Sequence, residues 1–208
     1  MARYKDARCR LCRRQGEKLY LKGIKCGSQK CTLIKRPTPP GQHARSRSKP
    51  SNYGLQLREK QKVKWMYGVL EKQFRRYFKI AEGTKGVTGR ILLQLLERRI
   101  DNVIYRMGLG SSRAQARQIV RHNMVCVNSR RMNIPSHMIV KDDIVEIKAK
   151  DGGKKKIKEN LELSKERTVP AWIEFDATAM KAKVVRLPEK EDIPAPIQEQ
   201  LIVELYSK

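Results

Sequence analysis

Residues 111–128, SSRAQARQIVRHNMVCVN, change their period part-way. Up to Asn123 the apolar residues Ala116, Ile119 and Val120 recur at three- and four-residue spacing, which makes one side of a helix apolar. Ser111 or Ser112 stands where a capping hydroxyl belongs. From Met124 the run MVCV fits a short buried strand, with Cys126 as a small buried hydrophobe. A helix that hands over to a strand within one stretch predicts an α+β fold.

Upstream, Leu92, Leu96, Ile100, Val103, Ile104 and Met107 form the buried face of a helix that stops at Gly108 and Gly110. The break EGTKGVTGR precedes it. Before the break, Val63, Met66, Tyr67, Leu70, Phe74, Tyr77 and Phe78 make one apolar face from Leu57 to about Ala81. Gly68 within it marks a close contact, a bend, or a break between two helices. Downstream come short strands: MNI after the turn NSRR, then HMIV, then IVEIK after the turn KDD. WIEF and KVVRL add two more. DGGKKKIKEN reads as a loop or frayed helix. The closing APIQEQLIVELYSK is a short helix with Ile197, Leu201, Ile202 and Leu205 inward, and the helical region of residues 57–97 is its expected dock.

Charge is the strongest compositional signal. The 208 residues carry a net charge of +26. Residues 1–50 hold 15 Lys and Arg against 2 acids, 51–100 hold 12 against 4, 101–150 hold 9 against 4, and the remainder 11 against 11. Solubility does not require such an excess, so a polyanionic partner is expected, built mostly against the first three quarters. No apolar run approaches the roughly 20 residues of a membrane span, and the first residues have no apolar leader core. These features point to a cytosolic protein bound to nucleic acid, with no membrane and no small-molecule substrate.

Four cysteines lie in the most basic stretch. Cys9 and Cys12 form C-x-x-C, and Cys26 and Cys31 form a second close pair. That arrangement suits one tetrahedral Zn²⁺ with no open position, hence a structural ion. A [4Fe–4S] cluster would accept the same four thiolates and is the lesser alternative. Disulfides are disfavoured in a reducing cytosol, and unconnected core thiols are the plain alternative to the metal. Arg10, Arg13, Arg14, Lys25 and Lys30 offset the thiolate charge and leave a surplus for an outside anion. Residues 35–54, KRPTPPGQHARSRSKPSNYG, are too rich in Pro and Ser for regular structure. They are a linker or, given their charge, an extended arm that folds onto RNA. The arm offers Arg45, Arg47, Lys49 and Tyr53, with His43 beside them. The helix after it offers Arg58, Lys62, Lys64, Arg75 and Arg76. Arg113, Arg117 and Arg121 repeat every four residues, a repulsive spacing that suggests an opposing row of phosphates or a solvated face. Arg130 and Arg131 sit at a turn.

Several stretches together resemble the family of small-subunit ribosomal protein four: YGLQLREKQKVKWMYGVLEKQFRRYF (53–78), SSRAQARQIVRHNMVCVN (111–128), PPGQH (39–43) and the closing IQEQLIVELYSK. The cysteine spacing is similar to that of its bacterial zinc-containing, four-cysteine form. Ala44 departs from the glycine more usual after PPGQH. The resemblance implies a structural constituent of the small subunit that binds the 5′ domain of 16S ribosomal RNA at a helix junction and nucleates assembly. It further implies contact with small-subunit protein five, influence on decoding accuracy, a place at the messenger RNA entry channel, and repression of its own operon. The family's RNA-binding module maps onto roughly Arg98–Lys150, with a helix-pair surface on Ser112, Arg113, Gln115, Arg117, Arg121 and His122.

The expected organisation is therefore a zinc-stapled basic module with an extended arm at 1–50, a helical domain at 51–97 completed by a helix at 194–208, and an RNA-binding domain of helix pair and small antiparallel sheet at 98–193. An enzyme is disfavoured. G-x-G-x-x-G is missing, GLGSS joins two helices, and His43, His122 and His137 lack a nucleophile or metal partner. A zinc-dependent DNA regulator would concentrate its charge on one recognition helix, and here it is spread.

Overall fold

In the computed structural model, which describes residues 3–42, 49, 51–164, 168–193 and 196–207, the cysteine-bearing stretch forms three short helices: α1 (Arg8–Gln15), α2 (Ile24–Gly27) and α3 (Thr32–Lys35). Gly16 ends α1 at φ 80°, where its N–H reaches Cys12 O. This is the left-handed cap that glycine adopts without strain. Leu11 and Leu19 are buried, and α1 packs on α3 and on α4 (Asn52–Tyr67). Among the described residues no group of three or more His, Cys, Asp or Glu is placed to hold a metal. The described stretch is packed through Leu11 and Leu19 and ended at Gly16.

Ser51 caps α4, its Oγ accepting from Gly54 N. Gly68, at φ 64°, ends α4, and α5 (Glu71–Glu82) starts after it. Of the readings open for Gly68, the structure takes the break between two helices. The apolar stripe survives the break: Val63, Met66, Tyr67, Phe74, Tyr77 and Phe78 are buried, while Leu70 at the corner is exposed. α6 (Thr88–Glu97) follows.

The chain divides into two compact units, Met1–Leu92 with Ala195–Lys208, and Leu93–Pro194. In the second unit the single helix expected through Met107 is interrupted. α7 (Ile100–Arg106) begins afresh after Arg99, which has extended backbone. The cause is a rival partner for the main chain. Ile139 N donates to Arg98 O and Ile100 N donates to His137 O, so HMIV is held as one bridge at Arg99 and Met138 rather than as a strand. α8 (Arg113–Arg121) is capped by Ser112, whose Oγ accepts from Gln115 N, and packs against α7.

β1 (Val125–Val127) and β2 (Arg130–Arg131) pair antiparallel across Asn128 and Ser129. Both loop residues have positive φ, 46° and 67°, the combination of a type I′ hairpin. So tight a turn brings Arg130 opposite Val127 and leaves MNI beyond the strand. β3 (Ile144–Ile147) follows. The stretch read as loop or frayed helix is a full helix, α9 (Asp151–Leu163), because Ile157 is buried in the core and Asn160 is buried beside it. β4 (Ile173–Asp176) and β5 (Lys181–Val184) complete a five-stranded sheet of order β2-β1-β3-β5-β4, antiparallel throughout. Trp172, Ile104, Val120, Val125 and Val145 are fully buried in its core.

The last helix, α10 (Glu199–Tyr206), packs on α4. Its Tyr206 ring lies 4.6 Å from that of Phe78 and 6.1 Å from that of Phe74, centre to centre. Helices in one unit and helices on an antiparallel sheet in the other make the chain α+β.

Candidate nucleic-acid interface

α7 and α8 are tied by an ionic lattice. Asp101 accepts from Arg99 Nε at 3.0 Å and from Arg117 Nη1 at 3.1 Å. Asn102 donates to Glu97 Oε2 at 2.7 Å and accepts from Arg113 Nε at 2.8 Å. Glu97 also takes Arg106 Nε at 2.9 Å. The Arg113 guanidinium lies 4.5 Å from the centre of the Tyr105 ring. Two of the three arginines in the four-residue repeat are therefore anchored on α7. Their mutual repulsion is offset by Asp101, sixteen residues upstream of Arg117, while neutral Asn102, eleven upstream of Arg113, holds that guanidinium in place; the repeat itself displays neither. Anchoring has a second effect: it fixes the position of each guanidinium on the helix pair. Arg121 and His122, at the far end of α8, are exposed.

Ser112 is buried by its capping role. Gln115 is engaged inside, with Oε1 accepting from Ser111 and Nε2 donating to Asn160 Oδ1 at 3.2 Å. On the hairpin, Asn128 Nδ2 donates to Asp143 Oδ1 at 2.8 Å and its Oδ1 accepts from Ile144 N. That pair clamps the turn and leaves Arg130 and Arg131 exposed upon it. Fixed backbone with outward arginines is a suitable surface for phosphate oxygens.

In the first unit the cations separate into two groups. Lys62 is a correction to the sequence reading: it is 5% exposed, its Nζ donating to Pro196 O at 2.7 Å and pairing with Glu17 at 2.9 Å. Lys64 and Lys60 both bind Glu71, at 3.1 and 2.9 Å. These lysines hold α4 to its neighbours. Arg10, Lys49, Arg58, Arg75 and Arg76 are exposed, as is the Tyr53 ring. Arg13 Nε and Arg14 Nη2 donate to Thr38 O and Pro40 O, at 2.9 and 3.5 Å. They lay the start of the Pro-rich arm along α1. Arg45, Arg47 and His43 lie outside the described residues. The sequence reading missed Lys154, Lys155, Lys156 and Lys158, all exposed on α9. Their signal, the run KKKIK, was visible, but without a helix it had no face.

Cys12, Cys26 and Cys31 are buried and Cys9 is partly so. Burial pushes the Cys12 thiol up; a hydrogen bond from Leu19 N opposes this, and nearby Cys26, Cys9 and Cys31 raise it further. Cys26 is raised likewise by burial and by Cys31 and Cys9, against the bond it accepts from Lys22 N. The four sulfurs thus feel one another electrostatically. As a donor set they suit a soft divalent cation, although they are not gathered to ligand spacing.

Residues 3–97 match the model of the ribosomal protein S4/S9 N-terminal domain, and residues 98–145 match that of the S4 domain. The chain belongs to the ribosomal protein S4 family. It is 57% identical over its whole length to small ribosomal subunit protein uS4A of Symbiobacterium thermophilum, and 55% identical to uS4 of Pelotomaculum thermopropionicum and of Acetivibrio thermocellus, each covered in full. The S4 domain match covers α7, α8, the hairpin and β3 up to Val145, the region that carries the anchored arginines. This is a family of ribosomal structural proteins rather than enzymes.

Proposed function

We infer that this chain is a structural constituent of the small ribosomal subunit, in the cytoplasm, and that it works by holding ribosomal RNA in a fixed shape. The observation that carries the reading is the division of its cations. Lys60, Lys62, Lys64, Arg99 and Arg106 are matched to carboxylates inside the protein. Arg121, Arg130, Arg131 and the α9 lysines remain outward on rigid elements. Anchored arginines beside outward ones favour recognition by phosphate position and RNA shape over base reading. Purified chain mixed with small-subunit RNA and with unrelated RNA of equal length tests this directly. The small-subunit RNA should be retained at salt concentrations that release the other.

The finer readings follow from the same assignment. The RNA partner is the 5′ domain of 16S ribosomal RNA at a helix junction, which the chain binds early, nucleating assembly. Small-subunit protein five is a neighbour, the messenger RNA entry channel is close by, and decoding accuracy and repression of the chain's own operon depend on these contacts. One Zn²⁺ held by Cys9, Cys12, Cys26 and Cys31 is proposed on the chemistry of the donor set. A bound cation would relieve the repulsion between buried thiolates and fix the surrounding arginines.

A further inference from the structure

α8 has a second working side. Arg113, Arg117 and Arg121 face one way, while Gln115, Gln118, Ile119 and His122 lie roughly 150° round the helix by its 3.6-residue turn. There they form, with α9, a cleft of about 190 Å³ whose other wall is Gly153, Lys156, Ile157 and Asn160, with Met124 at its end.

The lining is graded. Ile119, Met124 and Ile157 supply an apolar floor, and the amides of Gln115 and Asn160 are locked to each other and to Leu109 O. The rim is different. Among the described residues the side chains of Gln118, His122 and Lys156 have no hydrogen bond or ion pair, and all three are exposed. On the α9 wall a Cβ at Gly153 would stand 3.1 Å from Ala149 Cβ and 3.4 Å from Met124 Cε, so the glycine lets this wall approach Met124 closely.

The volume is below the roughly 300–1,000 Å³ of drug-sized ligand sites and equals the space of about six waters. That is room for one planar ring. An apolar floor suits the ring's faces, an imidazole at the rim offers a stacking surface, a primary amide reads a donor–acceptor edge, and an ammonium meets an anion attached to the ring. Lys154, Lys155 and Lys158 continue the positive charge along α9 outside the cleft. We propose that the α8–α9 cleft takes a single unpaired nucleobase of the bound RNA, with His122 stacking on it, Gln118 bonding its edge and Lys156 pairing its phosphate. The proposal deepens the RNA-binding reading and rests on it.

The test uses the full chain and small-subunit RNA carrying photoreactive 4-thiouridine, with binding measured in parallel. A cross-link on a peptide spanning 118–124 or 154–158 is expected. His122→Ala should weaken binding about tenfold and abolish that cross-link, while His122→Phe, which keeps a ring, should restore both. Lys156→Ala should lower the salt slope by about 0.7–0.9, one phosphate. Equal loss in His122→Ala and His122→Phe would overturn the stacked base. Variants that bind like the parent, with cross-links only elsewhere, would overturn the cleft and leave RNA binding intact. Failure of the parent chain itself to prefer small-subunit RNA would overturn the reading beneath both.

Discussion

Glu71 sits where three elements meet. It accepts from Lys60 on α4 at 2.9 Å, from Lys64 on α4 at 3.1 Å and from the Tyr206 hydroxyl on α10 at 2.8 Å. Burial pushes its carboxyl up, but the hydrogen bonds from Lys60, Tyr206 and Lys64 outweigh that and hold it at about 2. A depressed carboxylate stabilises the fold above its unfolded value, 4.5, and loses that contribution as the pH falls towards about 2. Since Glu71 is 34% exposed, screening reduces the effect to about 1–2 kcal/mol. Glu71→Gln should therefore be less stable by that amount at pH 7. The gap from the parent should close between pH 4.5 and 2 when thermal unfolding is followed across that range. Tyr206 responds in the opposite sense. Burial, then Glu71, raises its hydroxyl well above the ordinary value, so its contribution is present below pH 10 and fades only in strong alkali. Asp101 is the corresponding centre of the second unit. Asp101→Asn removes the carboxylate that Arg99, 2% exposed, and Arg117 both bind. The expected cost is about 3 kcal/mol, read as a lower urea midpoint.

At the scale of elements, close approach sets the limits. A Cβ on Gly110 would lie 2.8 Å from Ala116 N and 3.1 Å from its Cα. Both atoms are α8 backbone, so the whole helix would have to shift. Gly110→Ala should cost about 1–3 kcal/mol and move the amide resonances of α8 more than those of α9. Elements of this kind were unevenly legible in the sequence. The Ser112 cap, the α8 face and the C-terminal helix were readable because each is signalled by residues within one or two turns. The interruption at Arg98–Arg99 was not, since Leu92, Leu96, Ile100 and Val103 keep their period through it and all stay buried. What breaks the helix is pairing with residues 137–139, forty positions away. α9 was obscured by two glycines and a lysine run, and only Ile157 in the core explains it. The anchoring of Arg113 and Arg117 depends on Asn102 and Asp101, a fact of tertiary structure. The candidate surface was thus visible as charge, but which charges face outward was not.

For the whole molecule, the excess of positive charge is divided between holding the protein and meeting its partner. The cysteine module belongs to the first task if it binds metal. Cys26→Ser should reduce zinc from about one ion per purified chain to a small fraction, by elemental analysis, while the sheet unit keeps its near-ultraviolet signal from Trp172. The second task is the account's central claim, that affinity comes from many fixed cations against RNA phosphates. The most direct measurement is the dissociation constant for small-subunit RNA between 50 and 200 mM salt, beside an unrelated RNA of equal length. Six or more phosphate contacts predict a loss of affinity of about 10³-fold or greater over that range, with small-subunit RNA preferred throughout. A change of less than about tenfold, or equal affinity for the two RNAs, would contradict it.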